Sequence, residues 1–202
     1  DDLPKTTSGT DVVYTATSET ATSDSFTFKV NDGTVDSDAA TVTINITLVN
    51  DKPVATTQTV TATEQTAKDI TLSGTDAEGA TLTYSIVDQP SNGTVSLDDN
   101  TATYTSTSDT ATSDSFTFKV NDGTVDSDAA TVTINITAVN DAPTATEQTV
   151  EATEDVAKII TLAGTDPDGD TIIYIVTSIP SEGTLTDNGT AITSDDLPKT
   201  TT

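Results

Sequence analysis

The residues of this chain that could do chemistry are the carboxylates of its loops. Asp166, Asp168 and Asp170 alternate through Gly-Thr-Asp-Pro-Asp-Gly-Asp (164–170). Asn140 and Asp141 stand just before a proline, and Glu64 lies in Ala-Thr-Glu-Gln (62–65). A second set, Asp51, Asp76 and Glu78, occupies the positions 90 residues upstream of Asp141, Asp166 and Asp168. Carboxylates and amide carbonyls are hard oxygen donors. Calcium takes 6–8 such oxygens in flexible geometry, so acidic groups on three separate segments suit Ca²⁺ if the fold gathers them. Little other chemistry is open. The chain has no His, Cys, Met, Trp or Arg. That excludes a disulfide framework, a zinc cluster, a thiol nucleophile and a Ser-His-Asp triad. The paired carboxylates Asp98-Asp99 and Asp195-Asp196 could in principle do acid–base work. They fall in predicted turns with no aromatic platform, and read as solvated loops. No enzymatic activity is expected.

Charge narrows the partners. There are 33 acidic residues against 7 basic ones, all Lys, for a net charge of −26 over 202 residues. Phosphate recognition needs clustered Lys or Arg, so no nucleic-acid partner is expected. The acid excess opposes an anionic membrane surface, and no apolar run approaches the ~20 residues of a spanning helix. No secretory leader is visible in the sequence. High charge and polarity could mean disorder, but regular apolar alternation argues for ordered β-structure. An acidic, Thr-rich chain without Cys fits an extracellular, cell-surface location.

The elements that must position the carboxylates come in repeats. Residues 20–47 recur unchanged at 110–137, an offset of 90. The following stretch repeats with drift: Gly-Thr-Asp-Ala-Glu-Gly-Ala (74–80) becomes Gly-Thr-Asp-Pro-Asp-Gly-Asp (164–170). Asp-Asp-Leu-Pro-Lys-Thr-Thr occurs at 1–7 and again at 195–201, an offset of 194; removing one period of 90 leaves 104. A 90-residue module therefore alternates with a 104-residue one, whose extra 14 residues fall around these two motif copies. Val-Asn-Asp-x-Pro at 49–53 and 139–143 marks the boundaries, because proline ends a strand and stiffens a linker. The expected organisation is the C-terminal half of a module over 1–50, a complete module over 51–140, and the N-terminal half of the next over 141–202.

Within the complete module, Phe116, Phe118 and Val120 alternate with polar residues, as do Val132, Ile134 and Ile136, and Leu82, Tyr84 and Ile86. Ile70–Leu72, Val95–Leu97 and Ala102–Tyr104 mark further strands, and 54–63 a weaker first one. Thr fills the outer faces, where β-branching favours extended backbone. Asn-Asp-Gly (121–123), Ser-Asn-Gly (91–93) and Ala-Glu-Gly (77–79) supply turns, and no helix is expected. The predicted fold is all-β: tandem seven-stranded Ig-like Greek-key sandwiches. Loops of such a sandwich cluster at two poles. The joint after the complete module would then gather Glu64 from below, Asn140 and Asp141 from the linker, and Asp166, Asp168 and Asp170 from above.

The strings Val-Asn-Asp-Ala-Pro-Thr-Ala (139–145), Ala-Thr-Glu-Asp (152–155), Gly-Thr-Asp-Pro-Asp-Gly-Asp (164–170), Pro-Ser-Glu-Gly-Thr-Leu (180–185) and Asp-Ser-Phe-Thr-Phe-Lys-Val-Asn-Asp-Gly (114–123) resemble the cadherin-like, Ig-like tandem repeats of large bacterial surface adhesins. The resemblance covers essentially the whole chain. It implies β-sandwich extenders, often rigidified in such families by calcium at their joints. The joint before the complete module departs from the pattern. Ala80 stands where Asp170 does, Glu78 where Asp168 does, and Gln65 where Asp155 does. Weaker or absent calcium is expected there.

The expected role is a structural repeat of an extracellular stalk that projects or links cells. Its partners would be neighbouring modules of the same array or other copies of the chain; any tip ligand is unspecified. A head-to-tail filament assembled by strand complementation is the alternative, and the duplicated heptapeptide favours a continuous array. A carbohydrate-binding module has little support from four Tyr and four Phe, since the Phe pairs alternate as core residues. Asn45, Asn92, Asn135 and Asn188 sit in Asn-x-Ser/Thr sequons, which carry glycans only in a competent host.

Overall fold

The computed structural model describes residues 7–200. The first copy of the heptapeptide, apart from Thr7, and Thr201 of the second lie outside the described residues. The first strands form a hairpin, β1 (Ser23–Phe28) with β2 (Ala40–Asn45). Nine strands follow: β3 (Val54–Ala55), β4 (Gln58–Thr63), β5 (Lys68–Thr71), β6 (Gly74–Thr75), β7 (Thr83–Asp88), β8 (Gly93–Asp98), β9 (Thr101–Ser106), β10 (Ser113–Asn121) and β11 (Ala130–Thr137). They build a sandwich. One sheet has the order β4-β11-β10-β7, the other β5-β9-β8, and β3 pairs with β6. All pairings are antiparallel except β4 with β11, where Val60 lies beside Ile134 and Ala62 beside Ile136. The expected seven strands become nine because two of them break: the first into β3 and β4, the second into β5 and β6.

Period-two alternation carries the burial. β10 reads exposed-buried from Ser113 to Phe116 and half-buried–buried beyond it, and β11 alternates from end to end. Phe116, Phe118, Val120, Val132 and Ile134 of one sheet meet Ile70, Val95, Ala102 and Tyr104 of the other in a single core, with Leu72 just past β5. The polar link in this core is Tyr104. Its hydroxyl donates to Asp114 Oδ2 at 2.9 Å, and Asp114 also accepts from the backbone N–H groups of Ser91, Asn92 and Ser115. Burial first, and then the neighbouring Asp114 carboxylate, push the Tyr104 phenol up to about 12. Gly93 begins β8 rather than serving only as turn punctuation. A Cβ there would meet Thr105 O at 2.5 Å and the Tyr104 ring at 2.6 Å.

The flanking segments are built from the same sequence but not the same burial. β1 and β2 keep the register of β10 and β11: Phe26 faces Val42 as Phe116 faces Val132. Yet Phe26 and Phe28 are 37% and 47% exposed, against 1% and 0% for Phe116 and Phe118. In the segment after 140, short pairs form: β12 (Thr144–Ala145) with β13 (Gly164–Thr165), β14 (Ile175–Val176) with β17 (Lys199–Thr200), and β15 (Leu185–Asp187) with β16 (Thr190–Ile192). A hollow of about 290 Å³ opens among Leu162, Ile172, Ile173 and Ile175. A 3-10 turn, Ser194–Asp196, overlaps the start of the second heptapeptide copy, although the sequence predicts no helix. Thr193 and Asp196 close it with a reciprocal capping box.

Candidate metal centre

The carboxylates at each joint come from loops of the modules and from the linker between them. At the joint after the complete module, the β4–β5 turn holds Glu64 and Gln65, with Thr66 N donating to Thr63 O. The Glu64 N–H donates to Thr137 O at the end of β11, and Val139 N–H donates to Glu64 Oε2 at 3.0 Å. This double tie pins the carboxylate against the chain as it leaves the sandwich. Glu64 is only 2% exposed, and its Oε1 is sealed from solvent with no hydrogen-bond partner. Asp141 comes from the linker. Its N–H donates to Asp168 Oδ2 at 2.7 Å, so the Asp-Pro-Asp-Gly loop of the next module is held against the joint. Asp109, from the β9–β10 connection, completes the group. Oxygens of Glu64, Asp109 and Asp141 lie within 4.8 Å of one another.

The joint before the complete module shares the linker aspartate and the acid 90 residues before Asp109, with the loop of the following module in place of the β4–β5 turn. Asp51 N–H donates to Glu78 Oε2 at 3.2 Å, and oxygens of Glu19, Asp51 and Glu78 lie within 4.8 Å of one another. Glu19 is the counterpart of Asp109, 90 residues earlier. Asp76 Oδ2 and Glu78 Oε1 are buried and without partners. Oxygens of like charge this close repel by roughly 1–3 kcal/mol per pair, depending on exposure. A buried carboxylate oxygen with no donor adds a desolvation cost. Both costs disappear with a cation among the oxygens, so the residues present fit a hard divalent ion.

Not every expected ligand converges. Asn140 turns its amide to Asp141 O at 3.0 Å. Asp166 serves its own loop, accepting from Asp170 N at 3.0 Å, while Asp170 itself is exposed. Asp76 plays the same part for Ala80 N at 2.8 Å. Asp109 and Glu19 were not anticipated. The readable signal is an acid at both copies of Thr-Ser-Asp/Glu-Thr, which in the complete module lies in the β9–β10 connection at the pole of the β4–β5 turn. Gln65 also needs correcting. The sequence reading counts its departure from Asp155 against the joint before the complete module, but the β4–β5 turn lies at the far pole and places Gln65 at the joint after. There Gln65 Nε2 donates to Asp109 Oδ1 at 2.9 Å and Asp141 Oδ2 at 3.2 Å.

The linkers are also tied back. Asn50 Nδ2 donates to Asp122 Oδ2 at 2.8 Å and, with the Val125 and Thr124 amides, holds that carboxyl below its usual range. Lys52, next to Asp51 in the chain, gives its ammonium to Asp128 at 2.6 Å, which lowers Asp128 likewise.

The sheet order, the parallel first strand and acidic joints at a 90-residue spacing define a tandem Ig-like β-sandwich of the cadherin-like kind. The chain belongs to the bacterial Ig domain family, whose model matches residues 50–135 and 140–200. It is 31% identical to Integrin beta-like protein A of Dictyostelium discoideum over 81% of this chain, and spans about a tenth, 10%, of that relative's length. Among solved structures it is similar to human CDH23 EC21-23, with a TM-score of 0.53 and 23% identity, covering 74% of this chain and 55% of that one. The Protocadherin GammaB4 extracellular domain aligns with a TM-score of 0.49 and 17% identity, covering 80% and 32%.

Proposed function

We propose that this chain is a non-catalytic, load-bearing stretch of an extracellular surface stalk, whose module joints are stiffened by calcium. One observation carries the reading: Glu64 is buried at a joint with an unpartnered oxygen, inside a three-carboxylate group drawn from two loops and the linker. A cation held by Glu64, Asp109 and Asp141, with Asp168 behind Asp141, would tie the linker to both modules and fix the angle between them. Asp51, Glu78 and Glu19, with Asp76 beside them, would do the same at the preceding joint. The bound ion would supply charge neutralisation and cross-linking, not catalysis. The family membership and the regular repeat support an extender role.

The test is a calcium titration of the chain by calorimetry, paired with thermal melting. Calcium should bind and raise the melting midpoint. Glu64→Gln should blunt that rise and, because its amide can donate where Glu64 Oε1 cannot, stabilise the calcium-free chain by about 1–2 kcal/mol. No heat of binding and an unchanged midpoint would sink the calcium reading.

The exposed Phe26–Phe28 face bears on how the flanking halves are completed. The identical Phe116–Phe118 face is covered by 51–106, and residues 141–192 are the counterpart of that segment. A segment of this kind, in the continuing array or in another copy, would fill the face. Boiling in SDS separates the two routes. A very large band means a continuous array, and a band near 20.8 kDa means assembled subunits.

A further inference from the structure

At the joint after the complete module, the centre of the acidic group already holds a donor. The Gln65 side-chain amide reaches both Asp109 Oδ1 (2.9 Å) and Asp141 Oδ2 (3.2 Å). These are two of the three carboxylates whose oxygens lie within 4.8 Å of one another; the third, Glu64, is buried and keeps Oε1 unpartnered. One NH₂ group has two protons, one for each carboxylate. It thus does for Asp109 and Asp141 what a cation would do, at a fraction of the charge. The backbone at Gln65 has φ +53°, and its counterpart Asp155 has φ +62°, so a short acid is sterically at home in this turn. The repeat carries an acid at the one position and an amide at the other.

We propose that the Gln65 amide is a built-in stand-in for the cation: it bridges Asp109 and Asp141 when no divalent ion is present, and must swing away before an ion can enter among Glu64, Asp109 and Asp141. The joint after the complete module then keeps its shape at low calcium and loads only at higher calcium. The bridge is independent of the calcium reading above; the displacement rests on it. The device sets the ion threshold of one joint without altering the fold of either module.

The experiment uses the whole chain, isotopically labelled, with the Val139 and Asp141 amides as local reporters, since these donate to Glu64 and Asp168. In chelator at low salt, Gln65→Met keeps the side-chain size but removes the donor. It should speed exchange of these two amides roughly tenfold, with added salt reversing the effect. Calcium should shift the same resonances, and Gln65→Glu, which replaces the competing donor by a ligand, should tighten that response roughly tenfold. Equal exchange in the wild type and Gln65→Met overturns the bridge, whatever calcium does. Gln65→Glu responding to calcium no more tightly than the wild type overturns the displacement. A functioning bridge with resonances indifferent to calcium in every form overturns the displacement together with the calcium reading, and leaves the bridge standing.

Discussion

Tyr104 shows how one side chain ties chemistry to stability. Its hydroxyl is buried and donates to Asp114, so the folded state holds the phenol proton to about pH 12, while an unfolded tyrosine releases it near its ordinary value of 10. Between these values the folded chain binds the extra proton. Stability is therefore fully present below pH 10 and is lost as pH rises through about 12, by on the order of 2 kcal/mol. Tyr104→Phe should remove this alkaline loss while lowering stability at neutral pH by about 1–2 kcal/mol, because Asp114 loses a donor. Denaturant melts of both chains from pH 8 upward read the difference; parallel curves would show that Tyr104 does not carry the alkaline limb. The same hydroxyl–carboxylate pair recurs at Tyr14 and Asp24, at 3.1 Å but in the open.

At the scale of the element, pairing partners decide strand length. β1 ends at Phe28 although its sequence continues unchanged through the residues that extend β10 to Asn121. β10 runs on because β7 lies beside it, with Val120 opposite Tyr84. β2 ends at Asn45, whereas β11 reaches Thr137 against β4. Turn chemistry is read correctly in kind but not in purpose. The glycine of Ser-Asn-Gly (91–93) is required by the Tyr104 ring that packs over β8, more than by the turn. Gly93→Ala should cost roughly 1–3 kcal/mol through overpacking, seen as a lower urea midpoint with an unchanged slope. Free accommodation of the methyl group would show that β8 and β9 are looser than their close approach implies.

For the whole molecule, the two identical stretches are an internal control. Residues 20–47 and 110–137 have the same intrinsic amide chemistry, so any difference in hydrogen exchange reports tertiary structure alone. The β10–β11 amides should be protected by orders of magnitude more than those of β1–β2, because only the former pair is flanked by further strands and capped by a second sheet. Equal protection would mean that the first half is filled, by another copy or by an arrangement of its own. The joints add a second level of organisation, since Glu64 and Asp141 belong to one group although they are 77 residues apart.

Composition, the 90-residue repeat and the alternation of apolar residues determined much by themselves: an all-β chain, the strands around Phe116, Val132 and Tyr84, the acidic joints, and the absence of thiol and imidazole chemistry. These properties depend on spacing along the chain, which a linear reading measures directly. The tertiary structure decided which carboxylates meet. It brought in Asp109 and Glu19, left Asp170 in solvent, and moved Gln65 from one joint to the other. It also decided that one copy of Ser-Asp-Ser-Phe-Thr-Phe is core and the other surface. The physical reason is the same in each case: burial and convergence are properties of the pole or face where a residue ends up, and that depends on which other strands are there to meet it.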